Sequence, residues 1–344
     1  MITKIGLDLG YANITLSDAT AAIYREPSIA LIDKDTRRIV GVGSSVLSGD
    51  DPASADGMLI RPFKNGLLFD HKITQAVIDN AIAAILPADH IRCALGVPSD
   101  FLPKQERDLF NMLESAGVTE CIAVNRAVAA VVGAGYSPLM SSISVNIGAS
   151  ATEIAVIHDG EITNVVRAEI GGEDFDKAVK QYIFDQGDVS VSLSVARAIK
   201  EKLGSVWQGK PEECVDIEGT LSLTGNKVRM SVCSSDIVGV FEKPLHKLLR
   251  AIADVVKKIP LDYVEDTFRN GIILTGGGSM IYGLDMMIGK VLGIAVTRPA
   301  NAIDCVARGL ARINNIVPVK GRASSRNVTS QIAKFYDDKR NESQ

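Results

Sequence analysis

The sequence contains no C-x-x-C pair. Its five cysteines, Cys93, Cys121, Cys214, Cys233 and Cys305, lie far apart, and its four histidines do not gather near them. This spacing argues against a zinc site and, in a chain of this length, against a disulfide framework. It fits a reducing cytoplasm. An excess of positive charge is also missing. Lys and Arg total 37 against 41 Asp and Glu, a formal net charge of −4, so no global field draws nucleic acid. Long apolar runs are absent too. The longest apolar-leaning stretch, AVAAVVGAGYSPLM from Ala127, is too short and too interrupted by glycine to span a bilayer. The N-terminus, MITKIGLDLG, enters a strand directly, with no signal-peptide core and no amphipathic anchor helix.

What is present is the composition of a globular α/β protein. The chain has 344 residues, 46% hydrophobic and 23% charged, enough apolar material for two domains or one bilobed unit. IGLDLG and NITLSD read as a hairpin turning at Gly10, and SIALIDKDTRRIVGVG as a second hairpin, followed by polar loops around Ser48 to Gly57. Helical periodicity from His71 to Leu86 stops at Pro87. IRCALGVPSD is a buried strand ending at Pro98, KQERDLFNMLESAG a helix closed by Gly117, VTECIAV a strand and NRAVAAVVGAG a helix.

At Ser141 the pattern restarts. ISVNIGASATEIAVIHDGEITNVVRAEIG gives three strands, followed by helices from Glu173 and over SVARAIKEKLG. A polar strand-rich insert spans about Cys214 to Ser235, and a long helix runs from Ile237 to Ile259. NGIILTGGG then gives a strand ending in glycines, followed by the helix YGLDMMIGKVLG and the short strand AVTRP. A duplicated order of this kind constrains the fold more than any single motif. It predicts two mixed α/β lobes facing each other, with both glycine turns at the cleft.

Those turns carry the chemistry. Backbone N–H groups of a glycine hairpin cradle phosphate oxygens. An aspartate at the strand end beside them, Asp8, suits a hydrated Mg²⁺. A lone turn is most simply a tight hairpin; two at equivalent places plus a third loop, LTGGGSMIYGL, point to a nucleotide. GGEDFD, residues 171 to 176, reads as an acidic helix start or as a further phosphate-side turn.

In this order these stretches resemble the nucleotide site of the actin superfamily. More narrowly they resemble the MreB-type bacterial actins, together with REPSIALIDKDTRRIVGVG, IRPFKNGLLFD, GVPS, GIILTGGGSMIYGLD and DCVARGLAR. The similarity runs to about Pro318. It implies duplicated ribonuclease-H-like, actin-type α/β domains across a nucleotide cleft. Lobe I would take residues 1–140 and 305–320, with a small outer subdomain at 31–61. Lobe II would take 141–304, with one at 179–237, and 321–344 would be a flexible polar tail with at most a short helix over TSQIAKFYDDK.

The resemblance places Asp8, Leu9, Gly10, Tyr11, Ala12 and Asn13 on the first phosphate loop. Gly148, Ala149 and Ser150 fall on the second, Gly171 and Gly172 on a connecting turn, and Lys200 and Glu201 on an adenosine-side helix. Gly276, Gly277, Gly278 and Met280 fall on the adenine and ribose loop. ATP or ADP would be the ligand, with Mg²⁺ held through water by Asp8.

The departures from the family pattern cluster at the phosphate end. Tyr11 replaces a threonine, Asn146 the second aspartate, Ala149 and Ser150 two glycines, and Ala151 a threonine. Arg126 replaces the glutamate that orients the attacking water. Arg126 has no acceptor, Asn146 removes a negative charge facing the metal, and positive φ at Ala149 or Ser150 would be strained. The expectation is an MreB-like filament scaffold in cell-shape or cell-wall organisation, at most a weak ATPase, polymerising with itself. It would lie in the cytoplasm, at the inner face of the membrane, with membrane-associated cell-shape or cell-wall proteins as partners. The loop AILPADH, with Ile85 and Leu86, and the basic-leaning tail offer only weak membrane contact. The competing classes are an actin-fold chaperone or assembly ATPase, a sugar or acetate kinase, and a non-polymerising scaffold.

Overall fold

The computed structural model describes residues 2–47, 57–64, 67–318 and 321–342. In lobe I, strands Ile2–Leu9, Asn13–Ser17 and Ala22–Pro27 form an antiparallel meander. His90–Val97 and Glu120–Asn125 join in parallel on the other side of Ile2–Leu9. Lobe II repeats the plan. Ser142–Ile147, Thr152–His158 and Glu161–Ala168 form the meander, and Ile272–Thr275 and Val296–Thr297 extend it in parallel. In each sheet the first five strands run third, second, first, fourth, fifth in their own order, which is the duplication expected from the sequence. Pairing of Asp8 with Thr15 and of Asn146 with Glu153 puts Asp8 and Asn146 at equivalent positions, each one residue before its strand ends.

Strand residues alternate or run apolar because these sheets are covered on both faces. Leu7, Leu16, Ile78 and Leu95 fill lobe I, and Val145, Phe175, Phe241 and Ile252 fill lobe II. Between the lobes lies helix Arg126–Gly133, buried from Ala127 onward. Its small side chains let helix Cys305–Ile316 cross it backbone to backbone: a Cβ on Gly133 would stand 1.8 Å from the Cys305 carbonyl, and one on Gly309 would stand 1.8 Å from that of Ala129. The other face of Cys305–Ile316 lies on Ile2–Leu9, where Gly6 leaves room for the Ala307 carbonyl. Smaller three-stranded sheets sit at Ala30–Asp33, Ile39–Val42 and Gly57–Ile60, and at Val189–Ser190, Cys214–Leu221 and Lys227–Cys233.

Three sequence expectations need correction. The segment read as a flexible tail forms strand Arg322–Ala323, paired in parallel with Cys121 and Ile122, and helix Ser325–Glu342. Val328 and Ile332, one helical turn apart, are buried in the cluster that joins the lobes. Ser325 Oγ donates to Glu106 in lobe I at 3.2 Å, while Ala333 packs against Gly160 in lobe II. This polar helix buries one narrow stripe across both lobes. Secondly, Cys214 and Cys233 form a disulfide. They face each other directly in the outer hairpin of lobe II, a pairing that depends on register and is not visible in their separation of 19 residues. Thirdly, the helix read as Ile237 to Ile259 is Glu242–Val256, with a separate turn at Ser234–Ile237. Pro244 sits in its first turn, where the missing N–H costs nothing.

The polar loop expected from Ser48 lies, as far as residue 56, outside the described residues. In AILPADH, Ile85 packs on the lobe I core and Leu86 is 51% exposed. Among the described residues no helix is long and apolar enough to cross a membrane.

Candidate functional site

The two meander turns, the helix start at Gly172 and the glycine loop meet at a cavity of about 520 Å³ between the lobes, within the usual range for a small-molecule site. All the residues expected to bind ligand line it except Leu9 and Gly171, and Arg126 and Asn146 line it as well. Leu9 turns its side chain into the lobe I core. Gly171 is a close-packing point: its N–H donates to the Asp174 carboxylate at 2.9 Å, and a Cβ there would meet the Ala149 carbonyl at 2.5 Å. It thereby locks the second turn against the start of helix Gly172–Gly187.

Each turn has a local cause. Gly148 N–H donates to the Ala151 carbonyl at 3.0 Å and closes the second hairpin. At Gly10 a Cβ would meet the Asn13 carbonyl at 2.6 Å. Gly276 takes φ of +86° and passes so close to Ile147 and Asn146 that no side chain fits. Gly277 has open space around it. The expected strain at Ala149 and Ser150 is not found: among the described residues only Arg37, Asp159 and Asp188 have positive φ without being glycine. The turn closes with right-handed or extended residues, so the added Cβ atoms carry no backbone penalty.

The charged residues are organised in three groups. First, Arg126 starts helix Arg126–Gly133, which Asn125 caps by accepting the Ala127 N–H at 2.8 Å. Its guanidinium reaches back to the first turn. Nη2 donates to the Leu9 carbonyl at 2.6 Å, and Nε lies 3.0 Å from Asp8 Oδ1. Nε and Oδ1 are buried and outside hydrogen-bond geometry with each other, so charge holds the contact. One oxygen of the carboxylate expected to hold Mg²⁺ thus already faces a cation. At the equivalent place in lobe II, Asn146 contributes a neutral amide, whose Oδ1 accepts from Thr275 at 3.4 Å. The residues present do not fit a magnesium ion, which needs carboxylate partners free to receive its hydration shell.

Secondly, Asp176 is fully buried and faces Lys200 Nζ at 2.6 Å and Arg197 Nε at 3.0 Å. Arg197 also contacts Glu173 at 3.5 Å, and Lys200 donates to the Gly172 carbonyl at 3.1 Å. Arg197, Lys200 and Glu201 lie on one face of helix Leu193–Leu203 by their spacing of three and four. Sequence reading named Lys200 and Glu201 and missed Asp176 and Arg197. The signal was that same spacing, set against an aspartate one turn into helix Gly172–Gly187.

Thirdly, bonds cross the cleft. Ser99 Oγ donates to Glu153 at 2.6 Å and accepts from Asn125 at 2.7 Å. Arg167 pairs with Asp100 at 2.9 Å, and Arg25 pairs with Asp304. Tyr11 stacks beneath the Arg61 guanidinium, 5.0 Å from its ring centre. Burial first, and then the Glu173 carboxylate across the cleft, push its phenol above the ordinary value.

Burial pushes the Glu153 carboxyl above the usual carboxylate range, against the opposing pull of Ser99 and Arg126. The folded chain therefore binds this proton more readily than the unfolded chain. Its stabilising effect is complete below the ordinary carboxylate pKa and is lost as pH rises through the raised value. Glu153→Gln keeps an acceptor for Ser99 and removes the charge. Thermal melts should show it more stable than the parent at neutral pH, with the gap closing as the buffer is acidified. A gap of the same size at every pH would refute this reading.

The chain matches the MreB/Mbl protein family over residues 2–319. It is 28% identical over 311 residues to the cell shape-determining protein Mbl of Bacillus cereus (strain ATCC 10987 / NRS 248), covering 89% of this chain and 93% of that protein. In structure it resembles MreB5 of Spiroplasma citri, solved bound to ADP and to AMPPNP, with a TM-score of 0.84, 22% identity and coverage of 90% of this chain and 95% of that one. It also resembles MamK in a double helical filament, with a TM-score of 0.78, 21% identity and coverage of 92% and 100%. The duplicated sheets are those of the two-domain actin fold, and this chain belongs to the MreB/Mbl family.

Proposed function

We propose that this chain is a filament-forming cytoskeletal protein that holds ATP or ADP between its lobes and cleaves it slowly or not at all. The observation that carries the proposal is the convergence of three glycine turns from both lobes on one cavity. Its turns supply backbone donors for phosphates, and Gly276, Gly277 and Gly278 allow a flat base to approach the backbone. The family's cell-shape proteins, the nucleotide-bound MreB5 and the filament of MamK support the same reading. The filament would be a scaffold for cell-shape or cell-wall proteins at the inner face of the membrane.

Hydrolysis needs an acceptor that orients water in line with the γ-phosphate. The residue at the head of the central helix is Arg126, a donor only. The carboxylate nearest in kind, Glu153, is held by Ser99. Sedimentation and electron microscopy with ATP and with ADP should give protofilaments. A monomer at high concentration with either nucleotide would overturn the cytoskeletal reading in favour of a non-polymerising scaffold. In the same preparation phosphate release should stay near background. Arg126→Glu combined with Asn146→Asp should raise it by about a hundredfold, the scale of one general base. Brisk release by the unaltered chain would overturn the claim of weak hydrolysis.

A further inference from the structure

We infer that Arg126 takes the place of the divalent cation at the phosphate end of the cleft, so that this chain holds its nucleoside di- or triphosphate without a metal ion. The inference rests on the nucleotide reading above and concerns how the phosphates are neutralised. A bound magnesium ion needs oxygen partners, usually one or two carboxylates together with phosphates, and retains several waters. Asp8 is the acidic residue at the first turn, and a guanidinium nitrogen lies 3.0 Å from its Oδ1. The same guanidinium is anchored by the Leu9 carbonyl. Its own anchors therefore fix it in the cavity wall, with its side chain only 14% exposed.

A dication entering beside Asp8 would meet this fixed charge at close range, in surroundings that screen poorly. The equivalent lobe II position offers it no second carboxylate, since Asn146 is neutral. Glu153, one strand further, is already bonded to Ser99.

The same geometry suits an anion. Nε of Arg126 faces Asp8 as an ion pair and Nη2 donates to Leu9, which leaves Nη1 for a phosphate oxygen. A planar guanidinium matches phosphate geometry and is always charged. Backbone N–H groups of the two turns add donors without adding charge. The metal's two tasks, neutralising phosphate oxygens and tying them to the first strand, thus fall to one side chain that the fold positions before the ligand arrives.

The test is equilibrium binding of a fluorescent ADP to the full chain in excess magnesium and in excess EDTA. The parent should bind within about twofold in the two buffers, because a lost charge-assisted bond would cost tenfold or more. Arg126→Ala should lose about tenfold or more in EDTA and recover part of that loss with magnesium. Arg126→Lys, which keeps the charge without the fork, should fall between the two. Thermal melts of each variant establish that it is folded. Parent binding that collapses in EDTA overturns this inference and leaves the nucleotide reading standing. Absence of binding in both buffers overturns the nucleotide reading and this inference with it.

Discussion

Gly309→Val is expected to abolish recovery of soluble, folded protein. Gly309 lies where helix Cys305–Ile316 crosses helix Arg126–Gly133, and a Cβ there would sit 1.8 Å from the Ala129 carbonyl and 2.8 Å from the Gly133 nitrogen. Both obstacles are backbone, so no rotamer change relieves the contact. The helices must separate, and they sit in the cluster that includes Ala94, Val124, Ala155 and Ile273, drawn from both sheets. Separation would open voids on two lobes at once. Overpacking in ordinary cores costs about 1–3 kcal/mol. A clash between two main chains falls among the rare changes above about 4 kcal/mol, comparable with the whole stability of a domain, about 5–15 kcal/mol. Gly309→Ala places one methyl against the same carbonyl and should lower the melting temperature markedly. Gly239→Ala is the control, because a Cβ at Gly239 meets nothing within 4 Å; it should change stability by no more than about 0.5 kcal/mol. A Gly309→Ala chain that melts with the control would sink the argument.

The second large effect is expected at Asp176. This carboxylate has no exposure to solvent and binds Lys200 through one oxygen and Arg197 through the other. Truncation to alanine leaves a buried ammonium without its counter-charge. Breaking a buried pair in this way costs about 3–5 kcal/mol. Asp176→Ala should therefore lower the unfolding free energy measured in urea by about 3–5 kcal/mol, and it should release Lys200 into the cavity it lines, weakening nucleotide binding. Asp176→Asn keeps the shape and an acceptor for Arg197 and should lose less. Equal losses for alanine and asparagine would mean that packing, not charge, holds this wall.

Much of this architecture is legible in the sequence because it is periodic and repeated. IGLDLGYANITL and VNIGASATE announce the same hairpin twice, and the structure gives both sheets one strand order. Glycines at the turns are legible because few other residues allow the approaches seen at Gly171 and Gly276. What escapes a linear reading is whatever depends on a partner far along the chain. Arg126 and Asp8 are 118 positions apart in the numbering, and only the fold brings them within ion-pair distance. Asp176 and Arg197 look like the solvated faces of ordinary helices until Asp176 proves to be wholly buried. The Cys214–Cys233 bond follows from hairpin register. The helix Ser325–Glu342 was hidden by its composition: two buried residues, Val328 and Ile332, suffice to dock it, and the polar residues around them resemble a disordered segment.

The arrangement of strands along the chain has a consequence for biosynthesis. Lobe II is drawn from one uninterrupted stretch, Ser142–Ile147 through Val296–Thr297. Lobe I is not. Its sheet takes five strands before Arg126 and a sixth at Arg322–Ala323, and the helix that covers Ile2–Leu9 begins only at Cys305. During vectorial synthesis the second lobe can finish while the first still waits for its cover. The central strand of the earlier lobe, with Gly6 bare for a helix about 300 positions downstream, has no cover on that face until this helix is made. Synthesis of helix Cys305–Ile316, more than emergence of the first five strands, sets the moment at which lobe I gains its cover.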